Sequence, residues 1–153
     1  MGKKKELLAK VEIFEGFNRF EIAQIAEACQ KISYYDADES IIVQETLGDC
    51  FFILLSGTAR VCQGDDPKSL FTIEAGAIFG EIAFLSGTVR TKHIIANENC
   101  FILELSHHML RTLDAEVRER IKDKLIEKLV GRIISIEGGF NKELAGGEEQ
   151  SDD

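Results

Sequence analysis

Between Lys31 and Ser106 the chain runs through seven short stretches rich in β-branched and aromatic residues: KISYY, SIIVQ, CFFILLS, TARVCQ, SLFTIE, KHIIAN and CFILELS. Turn-forming residues separate them at Asp36 to Glu39, Leu47 to Asp49, Ser56-Gly57, Gly64 to Pro67, Gly76 and Asn97 to Asn99. Runs this short cannot bury themselves, and the regular punctuation predicts strands that pair with one another. The expected fold is mainly β with flanking α-helices, built on a small antiparallel jelly-roll β-barrel. With 153 residues, 44% hydrophobic and 29% charged, the chain has room for one domain with a real core.

The texture on either side is helical. Leu7, Leu8, Val11 and Phe14 fall at helical spacing, and Asn18 followed three places later by Glu21 has the form of a capping box. The apolar face of that second helix is Ile22, Ile25, Ala26 and Cys29. Two short helices therefore open the chain. After Ser106 the period returns through Met109, Leu110 and Leu113, and residues 115 to 136 read as one long amphipathic helix. Its apolar face, with Ile121, Leu125, Ile126, Leu129, Val130, Ile133 and Ile134, needs a partner surface. The barrel, the opening helices or the same helix of a second copy would each serve, the last giving a homodimer. Gly138-Gly139 is expected to end the helix, which sets a domain over residues 5–137 and an acidic, disordered tail over 138–153.

Charge narrows the function classes. The formal net charge is −9, and the five acids between Glu143 and Asp153 account for only part of it. A protein that neutralises nucleic-acid phosphates carries a basic stripe, and here the only basic run is Lys3-Lys4-Lys5. No helix-turn-helix domain is expected after the long helix. No apolar run reaches the length of a membrane span, and the charged start, MGKKKELLAKVE, lacks the apolar stretch of a signal peptide. The expectation is a cytoplasmic protein with Cys29, Cys50, Cys62 and Cys100 as reduced core residues.

One stretch breaks the strand texture: FGEIAFLSGTVRT, Phe79 to Thr91. Glu81 to Leu85 suits one helical turn whose leading amides, freed by Gly80, would point at an anion. Arg90 follows across a Ser86-Gly87 turn, and its guanidinium offers paired donors that match phosphate oxygens. The carboxylate of Glu81 can accept from a sugar hydroxyl, and Thr91 adds a hydroxyl donor. Amide, arginine and carboxylate together describe a sugar phosphate.

FGEIAFLSGTVRT resembles the phosphate-binding cassette of the cyclic-nucleotide-binding domains of cyclic AMP-responsive regulators, kinases and channels. GDCFFILLSG, Gly48 to Gly57, matches the strand-turn pattern of the same family, and the resemblance extends over roughly residues 10 to 135. It implies a ligand-binding set of Phe79, Gly80, Glu81, Ile82, Ala83, Arg90 and Thr91. In that set Gly80 gives an amide, Glu81 takes the ribose 2′-hydroxyl, Arg90 pairs with the cyclic phosphate, Thr91 hydrogen-bonds it, and Ala83 lets it approach. The implied ligand is cyclic AMP ahead of cyclic GMP, with no cofactor, no metal and no catalytic residue. The implied mechanism is a lid formed by residues 115 to 136 that signals to a protein effector. Three positions depart from the family pattern: Gln44 replaces a common turn glycine, Val89 a common proline, and Lys92 the small residue that usually follows Arg-Thr. Strand position leaves two options for Lys92, outward into water, the plainer one, or inward toward a ligand with more phosphate.

Two further classes compete. A barrel that keeps its fold without a ligand would act as an interaction scaffold. A cupin-like metal enzyme would need gathered ligands, and His93, His107 and His108 lack a suitable spacing.

Overall fold

A computed structural model of the chain describes residues 2–66 and 68–145, with side chains as far as Gly138. Two helices open it, α1 (Gly2–Ala9) and α2 (Arg19–Ala28), with a 3-10 turn at Glu12–Phe14 between them. The helical spacing of Leu7, Leu8, Val11 and Phe14 is thus shared by a helix and a tighter turn, and Leu8, Val11 and Phe14 are buried. The capping box forms as expected: the Asn18 side chain accepts from the Glu21 amide at 2.9 Å, and the Glu21 carboxylate accepts from the Asn18 amide at 2.8 Å.

Eight strands follow: β1 (Ile32–Tyr35), β2 (Ser40–Ile42), β3 (Cys50–Ser56), β4 (Ala59–Cys62), β5 (Phe71–Ile73), β6 (Ile78–Phe79), β7 (His93–Ala96) and β8 (Cys100–Ser106). Each of the seven runs supplies one of them, and β6 is the addition. The pairing is antiparallel throughout, in two four-stranded sheets of order β1-β8-β3-β6 and β2-β7-β4-β5.

β3 explains how the layers are arranged. Its five central residues, Phe51 to Leu55, are all buried, although a half-solvated strand would alternate. Phe51, Ile53 and Leu55 join Ile25, Leu110, Ile121 and Leu125 in a core between the first sheet and the helices. Phe52 and Leu54 point the other way and join Val61, Ile73, Phe79 and Ile94 between the two sheets. Successive strand side chains face opposite sides, so the apolar run in CFFILLS serves two cores at once.

A short helix, α3 (Glu81–Ser86), interrupts the strands, and α4 (His107–Arg111) and α5 (Ala115–Ala145) close the chain. The α4 start is capped by Ser106, whose hydroxyl accepts from the Met109 amide at 3.1 Å. Along α5, Val117, Ile121 and Leu125 are buried, and Arg120 pairs with Glu21 of α2 while its guanidinium lies 4.3 Å from the Phe17 ring centroid. Beyond Leu125 the apolar side chains emerge, Ile126, Val130, Ile133, Ile134 and Ile136 all being exposed. The apolar stripe thus has its partner, the core, for only its first half.

The expected stop at Gly138-Gly139 is overturned, since α5 continues to Ala145. A glycine ends a helix when it takes the left-handed conformation of a C-cap. Gly138 does not take it. Right-handed glycine costs a helix about 1 kcal/mol without breaking it. The expected tail of residues 138–153 is therefore helical as far as Ala145, and residues 146–153 lie outside the described residues. Among the described residues no helix is long and apolar enough to cross a membrane.

Candidate functional site

Between β6, α3 and β7 lies a cavity of about 420 Å³ whose walls include Phe79, Gly80, Glu81, Ile82, Ala83, Arg90 and Thr91. The structure therefore brings the whole predicted set to one hollow. Its remaining wall is chiefly apolar, with Ile42, Val61, Phe71, Ile73 and Ile94 from the second sheet and its neighbours.

Arg90 is the anchor. It is only 6% exposed, and its guanidinium donates to the Gly80 carbonyl at 2.5 Å and the Cys50 carbonyl at 2.6 Å. These bonds aim a planar donor group along the cavity wall, with the Phe52 ring 5.5 Å away. Phe52 is itself stacked on Phe79 at 5.2 Å. Burial pushes the guanidinium's pKa below its ordinary value, opposed chiefly by Cys50 and Asp49. It stays cationic, since an arginine is not deprotonated in proteins. Desolvation acts on Cys50 too, raising its thiol to about 11.

Two glycines make this placement sterically open. Gly48 packs so tightly that an added Cβ would lie 2.5 Å from the Ala83 Cβ and 2.9 Å from the Arg90 Cζ. Gly80 has φ +80°, the left-handed region, and its added Cβ would lie 2.8 Å from Arg90 Nη1. Gly80 is the N-cap of α3, whose first-turn amides have no acceptor within the helix. Gly87, also left-handed, ends α3 and donates from its amide to the Ala83 carbonyl at 2.9 Å. The short turn predicted over Glu81 to Leu85 and the fold-back at Ser86-Gly87 are both observed.

Glu81 is 3% exposed, and here the structure adds what the sequence left out. Its Oε2 accepts from Lys128 Nζ at 2.8 Å and lies 3.7 Å from the Arg132 guanidinium. Both cations belong to α5 and both line the cavity. A carboxylate has about four acceptor positions, so these contacts leave capacity for a hydroxyl. Lys128 and Arg132 recur at the four-residue helical step that begins at Arg120, yet nothing in their spacing indicates what they face. Gly48 was visible only as part of a strand-turn pattern.

The departures from the family pattern also find places. The Gln44 amide donates to His93 Nδ1 at 3.1 Å, and the Gln44 side chain accepts from the Gly64 amide at 2.8 Å, tying two turns together. Val89 forms an isolated bridge with Leu47. Lys92, for which the plainer option was an outward position, lines the cavity. It precedes Ile94 and Ala96 at two-residue steps, and both are buried on the inner face of β7. The histidines lie apart: His93 bonds Gln44, and His107 stacks on Phe84 at 3.9 Å. Among the described residues no group of three or more His, Cys, Asp and Glu could hold a metal ion.

The chain is similar to known proteins. The profile of the family described as "Cyclic nucleotide-binding domain" matches residues 32–116. Human cGMP-dependent protein kinase 2 is 32% identical over 107 residues, covering 65% of this chain and 14% of that protein. This chain thus corresponds to a small part of the kinase's length. Among solved structures, the regulatory domain of Toxoplasma gondii PKA, crystallised with cAMP, is 25% identical with a TM-score of 0.67, over 82% of this chain and 49% of that one. PKAR CBD2 bound to Sp-2Cl-cAMPS is 29% identical with a TM-score of 0.64, over 94% of this chain and 93% of that one. Because that profile matches more than half of its length, this chain belongs to the cyclic nucleotide-binding domain family.

Proposed function

We propose that residues 5–137 form a cytoplasmic regulatory module that holds a cyclic nucleotide in the cavity below α5 and signals through that helix to a protein effector. The observation that carries this reading is the guanidinium of Arg90, buried in a cavity wall and aimed by two carbonyls. A cation taken out of water beside an open hollow is well matched to a phosphate. The cyclic phosphate sits against Arg90, the Gly80 amide and Thr91, the ribose 2′-hydroxyl is accepted by Glu81, and the base lies along the apolar wall. Cyclic AMP is the first candidate, supported by the ligands of the two solved structures. Cyclic GMP is the next, supported by the kinase relative's name. Because Lys128 and Arg132 meet Glu81, a ligand hydroxyl on that carboxylate bears directly on α5, which is a route for shifting the helix between positions.

Titration calorimetry with both nucleotides tests this reading. Arg90→Ala is expected to weaken binding by at least about 2 kcal/mol through loss of a charge-assisted contact. Glu81→Ala is expected to erode the preference for ribose over 2′-deoxyribose. Equal affinities of wild type and Arg90→Ala would refute the assignment, and no binding at millimolar nucleotide would favour a ligand-free scaffold.

The exposed apolar residues of α5 support a second element, a homodimer. Ile126, Ile133 and Ile136, at 51%, 56% and 69% exposure, lie along one side of the helix beyond its docked part. Light scattering with and without nucleotide checks it, and a strict monomer in both states removes it.

A further inference from the structure

Among the described residues, side chains of the cavity carry four cations, Arg90, Lys92, Lys128 and Arg132, against a single carboxylate, Glu81. This excess of positive charge occurs in a chain whose formal net charge is −9. Three of the four cations have partners: Arg90 donates to the Gly80 and Cys50 carbonyls, and Lys128 and Arg132 share Glu81. Lys92 has no ion pair among the described residues, although it is only half-exposed.

Its position is set by the strand it precedes. Ile94 pairs with Val61, Val61 with Phe71, and His93 with Cys62, so Lys92 stands at the end of the apolar wall formed by Val61, Phe71 and Ile94. Arg90 lies two residues before it in the sequence, and both residues line the cavity. A lysine ammonium has three donors and no acceptor. It can satisfy only acceptor or anionic groups, and low-dielectric walls raise the effect of its charge. A single cyclic phosphodiester bears one negative charge, which the Arg90 site already answers.

We propose that Lys92 is a specificity-determining residue of this pocket, a second phosphate-directed cation that raises its relative affinity for nucleotides carrying more phosphate charge than one cyclic phosphodiester. The proposal rests on the nucleotide-binding reading above. It concerns the ratio between ligands, so it is separable from whether a cyclic nucleotide binds.

The test is calorimetry on the full chain with cyclic AMP and with adenosine 3′,5′-bisphosphate, at low and moderate salt, for wild type, Lys92→Ala and Lys92→Arg. The ratio of bisphosphate to cyclic monophosphate affinity is expected to be about tenfold higher in wild type than in Lys92→Ala, and to be kept by Lys92→Arg. The bisphosphate should lose affinity with salt more steeply in wild type than in Lys92→Ala. A ratio that Lys92→Ala leaves unchanged, with cyclic AMP still bound, overturns the role of Lys92 and spares the nucleotide-binding reading. Failure of wild type to bind either ligand overturns both.

Discussion

Replacing Gly80 by alanine probes how the chain's backbone places its guanidinium. At φ +80° an alanine is strained by about 1–2 kcal/mol. The new Cβ would also lie 2.8 Å from Arg90 Nη1, 3.1 Å from Phe52 Cδ2 and 3.2 Å from Ile42 Cδ1. Relief requires the guanidinium to move, and it is held by bonds of 2.5 and 2.6 Å to two carbonyls. Giving up one such charge-assisted bond costs about 1.5–3 kcal/mol, so the substitution should lower stability by roughly 2.5–5 kcal/mol. Gly87→Ala is the control: its φ is +71° and nothing lies within 4 Å of its added Cβ, so only the backbone penalty operates. Urea unfolding should show Gly80→Ala losing more stability than Gly87→Ala by about the value of that one bond. Calorimetry should show nucleotide affinity falling in Gly80→Ala alone. Equal stability losses with unchanged affinity in both variants would refute the idea that Gly80 is required for the guanidinium's position.

Two more outcomes follow from the helices. The hydrogen bond from Arg120, and secondly the Asn18 amide, hold the Glu21 carboxyl below its ordinary value of 4.5. A depressed carboxyl stabilises the fold above that value and loses its contribution as the pH falls through the lowered one. Thermal melts at decreasing pH should therefore show an acid-dependent loss below about 4.5 that is smaller in Arg120→Ala. Ile121, 0% exposed on the docked part of α5, and Ile133, 56% exposed beyond it, should differ sharply. Truncation to alanine should cost about 2–5 kcal/mol at the first and within about 0.5 kcal/mol at the second in dilute protein. Equal costs by urea unfolding would show that the helix docks along more of its length.

Much of this protein could be read from residue order because the determining physics is local. Strand runs, turn residues and the Asn18–Glu21 cap are short-range signals, and each formed where it was expected. The cassette is also local: thirteen consecutive residues contain the glycine, helix turn, fold-back and arginine that build one wall. The strand β6 was missed because two residues, Ile78 and Phe79, are too few to show a period, and they become a strand only by pairing with Phe52 and Ile53. The helix end was misplaced because glycine is compatible with both a stop and a continuation.

The sequence by itself determined the class of fold, the helix capped by Asn18 and the residues Gly80, Glu81 and Arg90 of one cavity wall. Tertiary structure alone decided that Lys128 and Arg132, forty-seven and fifty-one residues after Glu81, meet its carboxylate, and that Gly48 packs against Arg90. It also decided that Lys92 faces the hollow. Helical spacing records which side chains share a face, but the surface that face meets depends on how distant elements pack, and no neighbouring residue encodes it.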